Sequence, residues 1–258
     1  MSMGQEADRR ARGDSFDLEG TLRQMDDALA VSREMSLAKE RGAQVEPPRI
    51  PGYNMVQLLG HGAYAEVWKA HQVRTGKQVA VKVFKRKTGV NWLLLQREVE
   101  QLVRLDKHPN VVSLLDADLG GPVPCYVTDL LEAGSLEKHV KEGVPVSLDR
   151  ALHCMEGIAQ ALAYVHAKGI IHCDLKPANV LLDEQGNARV ADFGQSRVVT
   201  DTAGALGTLF YMAPEQAVVS SPDEPVQPDV RWDVYGLGAT MYALLTGRVT
   251  AITADARL

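Results

Sequence analysis

The amino-acid sequence predicts an α+β protein of two lobes, a five-stranded antiparallel sheet carrying one main helix and then a mostly helical unit. Three observations lead there. Short β-like runs separated by Gly-containing turns occupy most of residues 53 to 129, a helix-spaced apolar stretch interrupts them, and after Gly134 the periodicity becomes helical. The predicted strands are Tyr53 to Leu59, Glu66 to His71, Gln78 to Phe84, Val111 to Ala117 and Pro124 to Asp129. The interrupting helix is Asn91 to Leu105, with Leu94, Leu95, Val99, Leu102 and Leu105 as its apolar face. In the second lobe, Leu148 to Lys168 predicts a long helix that buries Leu152, Ile158, Ala159, Leu162 and Val165. A β-hairpin of Val180 to Leu182 and Arg189 to Ala191 follows, and an apolar helix begins at Asp233 and runs to about Thr246.

Composition narrows the function classes. The chain has 258 residues, 45% apolar and 24% charged, which is ordinary for a globular protein and long enough for one large core or two smaller ones. A net charge of -5 gives no sequence-wide reason to bind nucleic acid or an anionic membrane, and the basic cluster Lys85 to Lys87 is too small to change that. Cys125, Cys154 and Cys173 are few, odd in number and lack metal-ligand spacing, so they are expected to be reduced thiols in a cytoplasmic protein. Residues 1 to 20 lack the apolar run of a secretory signal. The longest charge-free apolar stretch, Val234 to Gly247, has 14 residues and is read as a buried core helix.

Residues 1–46 form a polar N-terminal extension in which Leu18, Leu22, Met25 and Leu29 fall on one helical face, either as a docking helix or as a seam lying on its own domain. Pro47, Pro48 and Pro51 mark the boundary. Residues 47–131 are then the sheet lobe with its connection, and residues 132–258 the helical lobe.

Several local patterns carry chemistry. Leu59, Gly60, His61, Gly62, Ala63, Tyr64, Ala65, Glu66 and Val67 join the first two strands, and the glycines let backbone amides approach phosphate oxygens; a plain hairpin turn explains the segment as well. Lys82 sits mid-strand in the run Val79-Ala80-Val81-Lys82, where an unpaired ammonium is costly to desolvate. It needs a partner. Glu98, on the next helix, is the natural carboxylate, although an ordinary surface glutamate would read the same way. Then come His172-Cys173-Asp174-Leu175-Lys176-Pro177-Ala178-Asn179, Asp192-Phe193-Gly194 and Ala213-Pro214-Glu215.

This ordered set resembles the signatures of eukaryotic-type protein kinases, with a texture around Gly207 to Gln216 most similar to bacterial Ser/Thr members. The resemblance implies the two-lobed protein-kinase-like fold, with a C-lobe expected to be incomplete after its central apolar helix. It implies an ATP-dependent protein kinase that transfers the γ-phosphate to Ser/Thr hydroxyls of proteins, with ATP and Mg²⁺ as the small-molecule requirements. By the same resemblance, Lys82 holds the α- and β-phosphates and is oriented by Glu98, and Asn179 and Asp192 hold Mg²⁺. Asp174 accepts the proton of the substrate hydroxyl, and Lys176 lies near the transferring phosphate. Leu59, Gly60, Gly62, Val67, Ala80 and Leu181 line the nucleotide cleft, Thr128 controls access behind the base, and the backbone of Asp129 and Leu131 reads the adenine edge. Lys176, together with Gly207-Thr208, points to Ser/Thr rather than Tyr substrates. The alternatives are a pseudokinase or nucleotide-binding scaffold, with the truncated chain inactive by itself, and a small-molecule phosphotransferase of related fold, the last disfavoured by the Asp192-to-Glu215 segment.

The chain departs from the family in three places. The third glycine of the phosphate loop is Ala65. Cys173 replaces an arginine that pairs with a phosphorylated activation-segment residue, so activity is not expected to depend on phosphate at Thr200, Thr202 or Thr208 read through this position; Cys173 is expected to be an inert small residue rather than a redox centre. After Thr246, Arg248 to Leu258 do not resemble the next family element, and the arginine that usually pairs with Glu215 is missing from its place. Glu215 is therefore expected to lose a buried partner, at about 3 to 5 kcal/mol, and the chain to be a piece of a longer protein.

Overall fold

Valines at every second position turn to one face of a strand, and Val79, Val81 and Val83 do so in β3 (Gln78–Phe84). They join Ile50, Trp68, Ala70, Cys125 and Val127 in an apolar cluster on that side of the sheet. The other strands are β1 (Tyr53–His61), β2 (Ala65–Gln72), β4 (Leu114–Asp118) and β5 (Cys125–Asp129), ordered β1-β2-β3-β5-β4 and antiparallel throughout. The structure is a computed structural model and describes residues 46–61, 65–84, 90–105, 107–141, 143–193, 210–216 and 227–249. The Leu18-to-Leu29 seam, Gly62, the Lys85-to-Lys87 cluster, Thr200, Thr202, Gly207, Thr208 and residues 250–258 lie outside the described residues, as does the side chain of Leu94.

The fourth strand starts three residues later than the sequence predicts. Val111 instead bridges Val190, and the Val112 amide donates to the Val190 carbonyl at 2.9 Å, so this stretch pairs with the second lobe before the chain enters the sheet. On the opposite face of β3, Ala80 stands across from Thr128, and Lys82 across from Tyr126. Helix α1 (Val90–Arg104) packs its buried Leu95, Val99 and Leu102 into a cluster with Tyr126, Leu136 and Phe193. That cluster crosses from the sheet lobe into the helical one.

The helical lobe contains α2 (Glu137–Lys141), α3 (Leu148–Ala167), a 3-10 turn (Pro177–Asn179), the hairpin β6 (Val180–Leu182) and β7 (Ala188–Val190), and α4 (Val230–Thr246). Ser147 caps α3 by accepting from the Arg150 amide at 3.4 Å. The buried stripe of α3 is Ala151, Cys154, Gly157, Ile158, Ala161, Leu162 and Val165. Leu152 and Ala159, expected inside, are exposed. Each follows a stripe residue by one position, which at 3.6 residues per turn rotates it about 100° off the buried face. Gly157 lets α3 approach Asn110, whose Nδ2 would lie 2.7 Å from an added Cβ and donates to the Ala188 carbonyl at 2.9 Å. β7 ends one residue early because the Ala191 amide donates to Asn179 instead of the hairpin.

Asp229 caps α4 by accepting from the Arg231 amide, and Gly247 closes it at φ +66°. The helix packs on α3 and runs beneath the loop preceding the 3-10 turn. Among the described residues, no helix is long and apolar enough to cross a membrane. Glu215, expected to be a stranded buried charge, is exposed, so water solvates it and the predicted desolvation penalty does not arise.

Candidate active site

A lysine in an apolar strand must find carboxylates, and Lys82 finds two. Its Nζ lies 2.9 Å from Glu98 Oε1 on α1 and 2.5 Å from Asp192 Oδ1, which follows β7. The three side chains are 16%, 5% and 32% exposed, so the cluster is shielded on the helix side and open on the Asp192 side. Burial opposes the Lys82 charge, but Asp192 and Glu98 outweigh it and hold the ammonium well above its usual range. Burial also works against ionising Asp192, yet the Lys82 ammonium holds that carboxyl below its usual range. Glu98 is the most enclosed of the three, and burial, only partly offset by Lys82, pushes it up to about 7.

The second group of polar residues stands on the loop between α3 and β6. Lys176 Nζ is 2.9 Å from Asp174 Oδ2, and Asn179 Nδ2 donates to Asp174 Oδ2 at 3.0 Å and to its carbonyl at 2.8 Å. The Asp174 carboxylate is thus aimed from both sides while its side chain stays 8% exposed. Behind it, the Asp174 amide donates to His172 Nδ1 at 3.3 Å, so His172 Nε2 carries the hydrogen that reaches the Ala191 carbonyl at 2.9 Å. The same ring meets Phe193 edge-on at 5.0 Å. His172 therefore ties the Asp174 loop to the segment carrying Asp192.

The loop itself hangs from α4. Asp233, 1% exposed, accepts from the amides of His172 at 2.9 Å and Cys173 at 2.8 Å, and lies 2.7 Å from His166 Nε2 at the end of α3. Cys173 has φ +63° and Asp192 φ +66°, a left-handed conformation rare for residues with a side chain. At Cys173 those Asp233 bonds hold it. Gly236 allows the close approach, since an added Cβ would lie 2.9 Å from the Leu175 carbonyl oxygen. The Cys173 side chain packs with Ala213 and Trp232, and Gln216 Nε2 donates to the Cys173 carbonyl at 2.6 Å, which binds the 213-to-216 segment to the loop. None of the three cysteines is in a disulfide, and all are buried.

The described residues expected to bind nucleotide lie along β1, β2, β3, β5 and β6 and in the stretch after β5. Gly60 stands opposite Val67, Val67 opposite Lys82 and Ala80 opposite Thr128. Val67, Ala80, Thr128 and Leu181 are half-buried, and Leu59 is exposed. Asp129 pairs through its side chain with Lys77 at 3.0 Å, and the Leu131 carbonyl accepts from the Gly134 amide at 3.4 Å. Asn179 spends its amide hydrogens on Asp174, which directs its amide oxygen away from that carboxylate. The Asn179 amide oxygen and the Asp192 carboxylate are both hard oxygen donors, the type that could hold a small divalent cation. Among the described residues no cluster of three or more His, Cys, Asp or Glu side chains is placed to hold a metal.

The sequence assigns no role to Tyr126, His166 or Gln216 and places Asp233 only at the start of a helix. A phenol in an apolar strand and a carboxylate in an apolar helix are signals that could have found Tyr126 and Asp233, since neither is buried without a partner, whereas His166 and Gln216 leave no such signal.

The protein kinase domain family matches residues 53–256. A protein of Streptomyces coelicolor named a probable serine/threonine-protein kinase is 35% identical over 218 residues, 79% of this chain and 31% of its own length. The serine/threonine-protein kinase PrkC of Bacillus subtilis is 32% identical over 78% of this chain and 31% of its own length. PknB of Mycobacterium leprae, also named a serine/threonine-protein kinase, is 33% identical over 78% of this chain and 33% of its own length. The chain thus spans about a third of the curated relatives it matches. With a two-lobed fold, a paired strand lysine and this family match over most of its length, the chain belongs to the protein kinase domain family.

Proposed function

We propose that this chain transfers the γ-phosphate of ATP to Ser or Thr hydroxyls of protein substrates. The observation that carries the reading is the Lys82–Glu98 ion pair closed onto Asp192, within a fold that ties the Asp174 loop to the Asp192 segment. In the reaction the substrate hydroxyl oxygen attacks the γ-phosphorus, the bond from that phosphorus to the β–γ bridging oxygen breaks, and ADP leaves. Asp174 accepts the hydroxyl proton, and the bonds from Lys176 and Asn179 hold its carboxylate in place to do so. Lys176 is close enough to Asp174 to offset charge that develops on the moving phosphoryl group. Lys82 holds the α- and β-phosphates, with Glu98 fixing its direction. Asn179 and Asp192 would hold Mg²⁺, which when bound neutralises phosphate charge. Val67, Ala80 and Leu181 sandwich the adenine, with the backbone of Asp129 and Leu131 on its edge. A cytoplasmic setting fits an ATP-consuming protein with free, buried thiols.

The test is transfer of γ-labelled phosphate from ATP to a generic protein substrate, compared between this chain and Asp174→Asn. Labelled phosphoserine or phosphothreonine from the first, and a loss of at least about a hundredfold in the second, is the expected result. Nucleotide binding without transfer by either protein identifies a pseudokinase and overturns the reading, and label on tyrosine alone overturns the substrate class.

A further inference from the structure

Tyr126 lies on β5 directly across from Lys82 and is 5% exposed. Its hydroxyl donates to Glu98 Oε1 at 2.6 Å, the same oxygen that Lys82 Nζ approaches at 2.9 Å. Its ring lies 5.5 Å from that ammonium and 6.1 Å from Phe84, which is itself 5.8 Å from Lys82. One carboxylate oxygen of the helix thus receives two donors from the sheet, one charged and one neutral.

The two donors are not equivalent. Lys82 divides its charge between Glu98 and Asp192, and a nucleotide phosphate arriving in the cleft competes for the same ammonium. A buried carboxylate that loses its donor is costly, so with Lys82 alone the helix carrying Glu98 would be released when the ammonium turns away. The Tyr126 hydroxyl faces no such competition. It is buried behind Lys82, and burial together with the Glu98 charge keeps its proton on well above the usual phenol range.

We infer that Tyr126 is a positioning residue for phosphoryl transfer, latching α1 to the sheet through Glu98 so that Lys82 stays aimed while it binds phosphate. This rests on the kinase reading above and adds to it a neutral second anchor for the helix glutamate. The sheet supplies the latch.

The experiment uses Tyr126→Phe, which keeps the ring and its packing and removes only the hydroxyl, alone and combined with Glu98→Gln. Initial rates of γ-phosphate transfer at saturating ATP are expected to fall about tenfold for Tyr126→Phe, in line with loss of one hydrogen bond to a charged group. In the Glu98→Gln background the same change is expected to cost less than about twofold, because the group it acts through is already altered. Equal losses in both backgrounds would mean that the Tyr126 hydroxyl does not act through Glu98 and would overturn the inference. Amide hydrogen exchange gives a readout independent of activity, with faster exchange expected in α1 of Tyr126→Phe and none in α3. Unchanged exchange in α1 also overturns it. If the unsubstituted chain transfers no phosphate, the kinase reading fails separately, and the exchange result still decides whether the latch exists.

Discussion

Replacing Asp233 with alanine removes the acceptor on which the loop carrying Asp174 hangs. Its carboxylate takes the amides of His172 and Cys173 and the ring of His166, and it is 1% exposed, so water does not stand in for it without rearrangement. His166 is 19% exposed and can turn to solvent, which leaves two buried amides without a partner. At about 1 to 3 kcal/mol for each unsatisfied group, a central figure is about 4 kcal/mol. For a domain of this size that lowers the melting temperature by roughly 8 to 16 °C. Activity falls further than stability explains, because Cys173 no longer has the bonds that hold φ at +63° and Asp174 follows it. The assay pairs a thermal melt with transfer rates measured well below both melting temperatures. An Asp233→Ala protein that melts within about 2 °C of the unsubstituted chain and keeps its rate would refute the idea that α4 holds the loop.

Two glycines in α4 separate helix propensity from packing. Gly238→Ala meets nothing within 4 Å and is expected to stabilise by about 1 kcal/mol, whereas Gly236→Ala drives a Cβ to 2.9 Å from the Leu175 carbonyl and is expected to lower both melting temperature and transfer rate; equal melts for the two variants would count against the close approach. In the β6–β7 turn, Asp183 is a carboxylate that burial works to raise but bonds from Asn187 and Gln185 hold below its ordinary value of 3.8. Its contribution is therefore fully present above that value and lost as pH falls through the depressed one, so the stability difference between the chain and Asp183→Asn, measured by denaturant titration, should shrink as pH falls below 3.8. A difference that stays flat as pH falls would show that the turn does not use the charge.

The order of elements and the Lys82–Glu98 pairing at the candidate site were legible in the sequence because both rest on local information. Alternating valines announce β3, and Lys82 in an apolar strand announces its own need for a carboxylate. Glu98 followed from the helix that had to cover the sheet. The motif around Asp174 and Asn179 lies within six residues, so a short loop brings the two together whatever the rest of the chain does. Errors arose where a distant partner decided. Val111 looked like a strand residue of the sheet and pairs with Val190 instead. Leu152 and Ala159 fit a helical period, but the position of α4 and the hairpin chose the face one residue away.

The sequence by itself determined which groups the chain can bring to a site, because residue type sets what a group can donate, accept or hold. Tertiary structure alone decided the pairings that no motif announces. Tyr126 meets Glu98 across 28 positions, and Asp233 meets Cys173 across 60. Such pairs leave no periodic trace, since only the packing of one element on another sets the distance between them.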